Sequence, residues 1–285
     1  MKKTLLGLLV VWSLLLPTQS RSADYEVGLS MYSLRKLFKS GQLTAMDYPA
    51  FAKEKFGITK IDVWTGGFPE GWEDDADFLP NLKKAADESG SEIFLVMAQI
   101  VDCRPDEEKK LRAKGSMHKW AVDAAETLDS KFVRIFVRAD PNADEDIATK
   151  KIITALEPLA DYAKSKDKIL VIEPMPIKHS RSGAFLANLV KTFGHDHCWL
   201  MPDFGKMKGT DIYQGTEDMM PYAKAISAKT HNINEDGSAE GFDYPRLMKI
   251  INDTGYNGII AIEYEGKNLG PVEGVLATKK LIEQS

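Results

Sequence analysis

Short runs of apolar, often β-branched residues alternate with longer amphipathic segments from residue 24 to the end of the chain. Such runs predict buried strands, and apolar residues at helical spacing predict helices. The eight predicted strands cover residues 27–32, 60–64, 92–98, 132–137, 169–173, 199–203, 228–232 and 259–263. The predicted helices include residues 47–56, 79–89, 113–128, 146–164, 183–193, 222–226 and 244–254.

Strict alternation of strands and helices indicates parallel strands covered by helices. Glycines after four predicted helices, at positions 57, 90, 194 and 255, support those helix ends. Eight such units in about 260 residues match the usual size of a (β/α)8 barrel. The rival fold, a doubly wound open sheet, typically has a Gly-x-Gly-x-x-Gly after its first strand, where this chain has LSMYS. The sequence therefore predicts an α/β protein with a single (β/α)8 TIM barrel over residues 23–285.

The first 22 residues have the pattern of a secretory signal peptide. Lys2 and Lys3 precede an apolar run over residues 5–16, which is followed by Pro17 and small polar residues. Cleavage after Ser22 satisfies the small-residue rule. The alternative is an uncleaved anchor, but this apolar run is short for a bilayer span. We therefore expect a periplasmic or secreted protein that makes no membrane contact after cleavage.

Composition and charge narrow the class of partner. The chain has 37 Lys and Arg against 42 Asp and Glu, and losing three cationic leader residues takes its formal charge from -5 to -8. An acidic protein has no overall field to attract a phosphate backbone, so we expect no nucleic-acid partner. The sequence leaves self-association into a homo-oligomer open. Export permits disulfides, but Cys103 and Cys198 fall at opposite ends of the predicted barrel, so we expect no bond between them.

The ends of four successive predicted strands carry residue types that bind metals. Glu173, Asp203, His231 and Glu263 occupy the fifth to the eighth strand ends in that order. The C-terminal strand ends of a barrel converge on one mouth, where several buried carboxylates repel one another unless a cation joins them. The oxygen-rich set suits one divalent ion, Mn, Mg or Co, and can accept Zn. Each residue alone also has a structural interpretation, and a single His at a strand end is more often structural than a ligand.

Other residues near the strand ends are candidate substrate contacts. Tyr32 and Trp64 offer aromatic faces for a sugar ring, and Arg138, Lys178 and Lys206 offer cationic donors. The pair His195 and His197 looks like a metal site, but it precedes the sixth strand. It therefore falls at the opposite end of the barrel, and we expect it to be structural.

Five segments carry a resemblance to a known family: GLSMYSLR at 28–35, VIEP at 171–174, PDFG at 202–205, TH at 230–231 and IEYEG at 262–266. Their order and spacing resemble the xylose isomerase-like TIM-barrel sugar isomerases and epimerases, a superfamily that includes endonuclease IV. The resemblance implies a metal site at Glu173, Asp203, His231 and Glu263, with the two glutamates as acid and base. Lys206 and Met175 stand where relatives often have His. With only 5 His and an acidic mature chain, the endonuclease branch is disfavoured.

These observations predict an exported, divalent-metal-dependent sugar isomerase or epimerase. Glu173 and Glu263 would move a proton on the carbon beside a metal-chelated carbonyl. One alternative is a keto-sugar lyase that uses the same site, because elimination begins with the same proton abstraction. A second is a non-catalytic periplasmic sugar-binding protein with a degenerate site, as the residues Lys206 and Met175 suggest.

Overall fold

The computed structural model of the protein describes residues 25–104 and 118–285. The predicted signal peptide and the start of the predicted helix 113–128 lie outside these ranges. The strands are β1 Glu26–Leu29, β2 Lys60–Trp64, β3 Glu92–Asp102, β4 Phe132–Arg138, β5 Ile169–Ile172, β6 Cys198–Leu200, β7 Ala225–Thr230 and β8 Ile259–Tyr264. The helices are α1 Arg35–Lys39, α2 Tyr48–Phe56, α3 Phe78–Ser89, α4 Lys119–Thr127, α5 Glu145–Ser165, α6 Gly183–Phe193, α7 Ile212–Met219, α8 Tyr244–Asp253 and α9 Pro271–Glu283.

The eight strands form one parallel sheet in the order β6-β5-β4-β3-β2-β1-β8-β7. Two parallel bridges, Leu200 with Ala223 and Asp203 with Ser227, join the outer strands β6 and β7. The amide of Ser227 donates to the Pro202 carbonyl at 2.8 Å across the same seam. The sheet thus curls into a ring surrounded by helices, which confirms the predicted (β/α)8 TIM barrel.

The apolar core has two parts. The larger part contains buried residues of both strands and helices, and a smaller cluster includes side chains from five strands or their ends. That cluster contains Phe94, Leu95, Met97, Val171, Met201, Ala225, Ile259 and Ala261. Filled barrel interiors are typical of this fold, so chemistry is confined to the mouth formed by the C-terminal strand ends.

Local signals explain where several helices begin and end. The Ser182 hydroxyl accepts a hydrogen bond from the Phe185 amide at the start of α6, and Gly194 ends the helix with φ 62°. Asp144 caps α5 in the same way through the Ile147 amide. Side-chain caps at the N-terminus and a glycine at the C-terminus are standard ways to end a helix. The predicted helix 183–193 agrees with α6 at both ends.

The predicted helix 222–226 is wrong. A 3-10 turn covers Met220–Tyr222, and β7 already begins at Ala225. The helix of this unit lies earlier, in α7, where the Asp211 carboxylate accepts from the Tyr213 and Gln214 amides. The same error displaced the predicted seventh strand, since β7 covers Ala225–Thr230 rather than residues 228–232.

The cysteine prediction is confirmed. Cys103 follows β3 and Cys198 begins β6; both are buried, and no disulfide joins them. Within residues 25–104 and 118–285, no helix is long and apolar enough to cross a membrane.

Candidate functional site

Three carboxylates meet at the mouth of the barrel. Glu173 and Asp203 follow β5 and β6, and Glu263 lies near the end of β8. Each offers an oxygen within 4.8 Å of the others, and all three side chains are buried. The three acids predicted at strand ends therefore do lie together, because parallel strands place their carboxyl ends on one rim of the barrel.

Lys229 supplies a buried ammonium to this group of acids. Its Nζ lies 3.2 Å from Asp203 Oδ2, 3.0 Å from Glu263 Oε1 and 2.6 Å from Glu265 Oε1. Only 1% of the lysine side chain is exposed. Although burial by itself lowers the pKa of a lysine, the surrounding carboxylates hold the pKa of Lys229 well above its usual range. The residue is therefore a permanent cation at the centre of the mouth.

Glu173 has its own cationic partner. The Nε of Arg134, a residue of β4, lies 3.0 Å from Glu173 Oε2. That N–H does not point at the oxygen in hydrogen-bonding geometry, whereas Arg134 Nη1 donates to the Ala98 carbonyl at 3.0 Å. The guanidinium also lies over the Phe136 ring, 4.0 Å from its centroid. Arg134 is thus fixed by three contacts beside the acid.

The two glutamates have opposite protonation tendencies. Burial raises the pKa of Glu173, and Arg134 offsets this only in part while Asp203 adds to it. Burial would also raise the pKa of Glu263, but Lys229, Lys206 and the hydroxyl of Ser227 lower it below its usual range. Carboxyls whose pKa values are pushed apart are the usual arrangement for an acid and a base at one site.

The structure does not bring His231 into the three-acid group. It follows the last residue of β7, and its ring packs on Phe242 with a centroid distance of 5.9 Å and an interplanar angle of 30°. Burial lowers the pKa of His231. The inward positions of β7 near the acids are instead Ser227, whose hydroxyl donates to Glu263 Oε2 at 2.8 Å, and Lys229.

The donor set can be tested against the predicted divalent ion. Three of its four predicted ligands converge, which is the acidic part of such a site. A divalent ion binds carboxylate oxygen at about 2.0–2.6 Å. The Lys229 ammonium already contacts one oxygen of Asp203 and one of Glu263, two of the three acids that would hold such an ion. With Lys229 in this position, the residues do not fit an additional divalent cation.

Four of the five predicted substrate contacts have defined surroundings. Tyr32 and Trp64 contact each other edge to face, with centroids 4.9 Å apart. Arg138 Nη1 pairs with Asp102 Oδ2 at 3.2 Å. The Nζ of Lys206 lies 5.6 Å from the Phe136 ring centroid. The fifth, Lys178, is exposed in the loop after β5, with no ion pair among the described residues.

The histidine pair lies away from the acids. His197 Nδ1 is 2.8 Å from the carbonyl oxygen of Lys168, the residue before β5, and His195 Nε2 is 3.3 Å from Asp161 Oδ1 in α5. Both contacts are at the N-terminal side of the strands, as expected for a structural pair.

The sequence analysis did not identify five residues of the site: the cations Arg134 and Lys229, the hydroxyl of Ser227, and the acids Glu265 and Asp62. Arg134, Lys229 and Ser227 lie inside strands rather than at their ends, and only alternation along a correctly placed strand would have pointed them inward. Glu265 follows β8 and belongs to the IEYEG segment, which indicated the family resemblance but no separate role for this acid. Asp62, fully buried in the middle of β2, gave no signal beyond a polar residue in an apolar strand.

The fold and the site define the class: a (β/α)8 TIM barrel with buried acids at the C-terminal ends of its strands. Sequence comparison identifies the family within that class. Residues 50–284 match the family described as xylose isomerase-like TIM barrel. The chain belongs to this family, which confirms the resemblance seen in its sequence. No curated protein matches the sequence significantly.

Solved structures with the same fold include enzymes and metal-bound proteins. A 3-keto-D-glucoside 4-epimerase from E. coli, YcjR, aligns with a TM-score of 0.67 and 13% identity over 92% of this chain and 100% of its own. The IOLI protein with a bound zinc atom gives 0.70 and 12% over 90% and 98%. A xylose isomerase-like TIM barrel protein from Mycobacterium smegmatis in complex with magnesium gives 0.61 and 12% over 91% and 96%.

Proposed function

We propose that the protein is an exported isomerase or epimerase that acts on an unphosphorylated sugar or sugar derivative. The observation that carries the proposal is the convergence of Glu173 and Glu263 at the barrel mouth, with their pKa values shifted in opposite directions. Family membership and the epimerase with the same fold support it. An acid and a base that share one mouth suit proton transfer on a carbon beside a carbonyl.

The two glutamates divide the proton transfer. At neutral pH Glu263 is ionised and takes the proton from the carbon next to the substrate carbonyl, and the electron pair of that C–H bond moves onto the carbonyl oxygen. Glu173 holds its proton and delivers it to the resulting enediolate. Delivery to the opposite face of the same carbon restores the carbonyl and gives an epimer. Delivery to the former carbonyl carbon gives an isomer, provided that the proton of the adjacent hydroxyl moves to the former carbonyl oxygen as the new carbonyl forms.

Neighbouring side chains support the charged intermediate and the sugar ring. Lys206 lowers the pKa of Glu263 and forms no ion pair among the described residues, so its ammonium is available to the developing oxyanion. Tyr32 and Trp64 form an aromatic wall suited to stacking on a sugar.

The sequence-based prediction also includes one divalent ion, Mn, Mg or Co, with Zn as a further option. Glu173, Asp203 and Glu263 would hold it, and a bound ion would supply a Lewis acid for the carbonyl. The Lys229 ammonium would first have to move away from Asp203 and Glu263. The proposed mechanism therefore assigns no step to a metal.

Export rests on the predicted signal peptide, residues 1–22. A protein outside the cytoplasm meets few sugar phosphates, which favours an unphosphorylated ketose or keto-sugar as substrate. This location can be tested by fractionating cells that express the full chain and sequencing the N-terminus of the exported form. An N-terminus near residue 23 supports export, and an intact Met1 in the cytoplasmic fraction contradicts it.

Hydrogen exchange tests the chemistry directly. Incubation with a panel of unphosphorylated ketoses and keto-sugars in heavy water should place deuterium on the carbon beside the carbonyl, detected by NMR or mass spectrometry. Glu173→Gln and Glu263→Gln should each lower the exchange rate by at least about 100-fold. The exposed Glu92→Gln, at the other end of the barrel, is the matched control and should exchange normally.

The remaining outcomes identify the alternatives. Deuterium incorporation with loss of a leaving group would favour the keto-sugar lyase. Sugar binding without exchange across the panel would contradict the enzyme proposal and favour the binding protein.

A further inference from the structure

We propose that Lys229 is the resident cation of this site and takes the place of a divalent metal ion. The protein would then hold its acids together with a covalently tethered charge and would work without a bound metal. The inference concerns the occupant of the site and rests on the proposed function only for its catalytic consequence.

The first argument is the position of the ammonium. Lys229 Nζ lies within 3.2 Å of oxygens from Asp203, Glu263 and Glu265, so three carboxylates surround one charge. A metal ion bound by the same oxygens would lie within a few ångströms of Nζ, where two positive charges repel strongly in a buried site. The lysine and the ion therefore compete for one place.

The second argument is that the barrel is shaped to accommodate the lysine. Gly205 lies against the Lys229 stem, and a Cβ on this glycine would fall 2.5 Å from Lys229 Cδ and 3.0 Å from Cγ. The amide of Gly205 donates to Asp203 Oδ1 at 2.8 Å, which fixes the glycine beside the acid. Tyr244 donates its hydroxyl to the Lys229 carbonyl at 2.9 Å. Lys229 thus lies in a fitted channel.

The third argument is the pairing of strands. Lys229 and Glu263 are partners in the parallel register of β7 and β8, and both side chains point into the barrel. Ser227, two residues earlier on the same face, donates to the other oxygen of Glu263. Each Glu263 oxygen therefore has a fixed partner on β7. This makes Lys229 a positioning residue that orients the proposed base.

Cobalt titration tests the inference without any sugar. Co²⁺ alone is added to the purified protein, and binding is followed by visible absorption and confirmed by elemental analysis. We expect the wild type to bind no stoichiometric cobalt, whereas Lys229→Ala should bind one ion per chain at least about 100-fold more tightly. Lys229→Arg keeps the charge and should behave as the wild type.

Lys206→Ala is the matched control for cobalt binding. It removes an equal charge near Glu263 but leaves the Lys229 ammonium between the acids, so cobalt binding should stay weak. One tightly bound equivalent in the wild type would overturn the inference, as would equally weak binding in wild type and Lys229→Ala. If Lys229→Ala does not fold, Lys229→Met replaces it, because an unbranched side chain of similar length fills the same channel without the charge.

The cobalt titration and the deuterium-exchange test can fail independently of each other. Deuterium exchange by the wild type should survive treatment with EDTA and dialysis; a loss of exchange that added metal restores would contradict Lys229 as the resident cation. Absence of exchange with every sugar, before and after EDTA, would count against the proposed function alone, since the cobalt titration would still decide the occupant of the site.

Discussion

Lys229 and Glu263 lie opposite each other on β7 and β8, and the lysine Nζ is 3.0 Å from Glu263 Oε1. The pair is buried, so water does not screen it. Removing one partner of such a pair leaves the other charge without compensation, which is far more costly than removing both. The relationship between these two residues therefore predicts non-additive effects on stability.

Lys229→Met should lower the free energy of unfolding by about 3–5 kcal/mol, because three carboxylates then face one another without their cation. Adding Glu263→Gln removes one of those charges. The second substitution should therefore cost less in the Lys229→Met background than in the wild type, by about 1–3 kcal/mol. Urea unfolding of the four proteins at pH 7 measures this coupling. Additive effects would show that the two side chains act independently.

Gly205 provides a second test of the same arrangement. Gly205→Ala places a methyl group against the Lys229 stem, and the crowding should destabilise the protein by about 1–3 kcal/mol. In a Lys229→Ala background the space is open, so the same substitution should cost less. Thermal or urea unfolding of the double variant checks this. Gly237→Ala serves as a comparison in which no atom lies within 4 Å of the new Cβ, although its positive φ adds backbone strain.

How much of this site was predictable from the sequence depends on strand register. Glu173, Asp203 and Glu263 were found because each follows a run of apolar residues whose end is easily recognised. β7 reads AISAKT, a weaker apolar run that contains Ser227 and Lys229. Its predicted position was three residues too late at the start, which placed His231 at the strand end beside the acids and left Lys229 unnoticed.

The physical reason is that a buried lysine contradicts the usual pattern. Lysine is almost never fully buried unless it is paired, and its partners here are distant in sequence. Glu263 is 34 residues from Lys229, and their contact exists only because β7 and β8 pair in parallel. Composition and periodicity predicted the barrel, whereas this ion pair required the three-dimensional register.

The pH dependence of stability should report a buried acid in β2. Asp62 is fully buried, and burial raises its pKa to about 8, although the Met31 amide partly opposes this by donating to Oδ1 at 2.7 Å. Between the unfolded pKa of about 3.9 and the folded value, the folded protein holds a proton that the unfolded chain has lost. Stability therefore falls as pH rises from about 4 to about 8.

Asp62→Asn removes this group and should make that slope shallower by up to about 1.4 kcal/mol per pH unit. The raised pKa of Glu173 acts in the same direction and remains in the variant, so some slope should persist. Urea unfolding at pH 5, 6.5 and 8 provides the measurement. Asp253→Asn changes an exposed acid in α8 and should leave the slope unchanged. Identical slopes for wild type and Asp62→Asn would mean that Asp62 is ionised in the folded protein.

The last prediction concerns Lys206, which acts on Glu263, the proposed base, and has no ion pair among the described residues. Its stem is half-buried and its Nζ lies near the Phe136 ring, so it is held close to Glu263 yet keeps donors for a ligand. If Lys206 stabilises the oxyanion, its contact strengthens as charge develops. Lys206→Met should then lower kcat for deuterium exchange by about 10- to 1000-fold and change KM little. Unfolding stability should change by less than about 0.5 kcal/mol. Lys208→Met, two residues further along and exposed, should leave both constants unchanged. A higher KM with unaltered kcat would instead assign Lys206 to ground-state binding of the sugar.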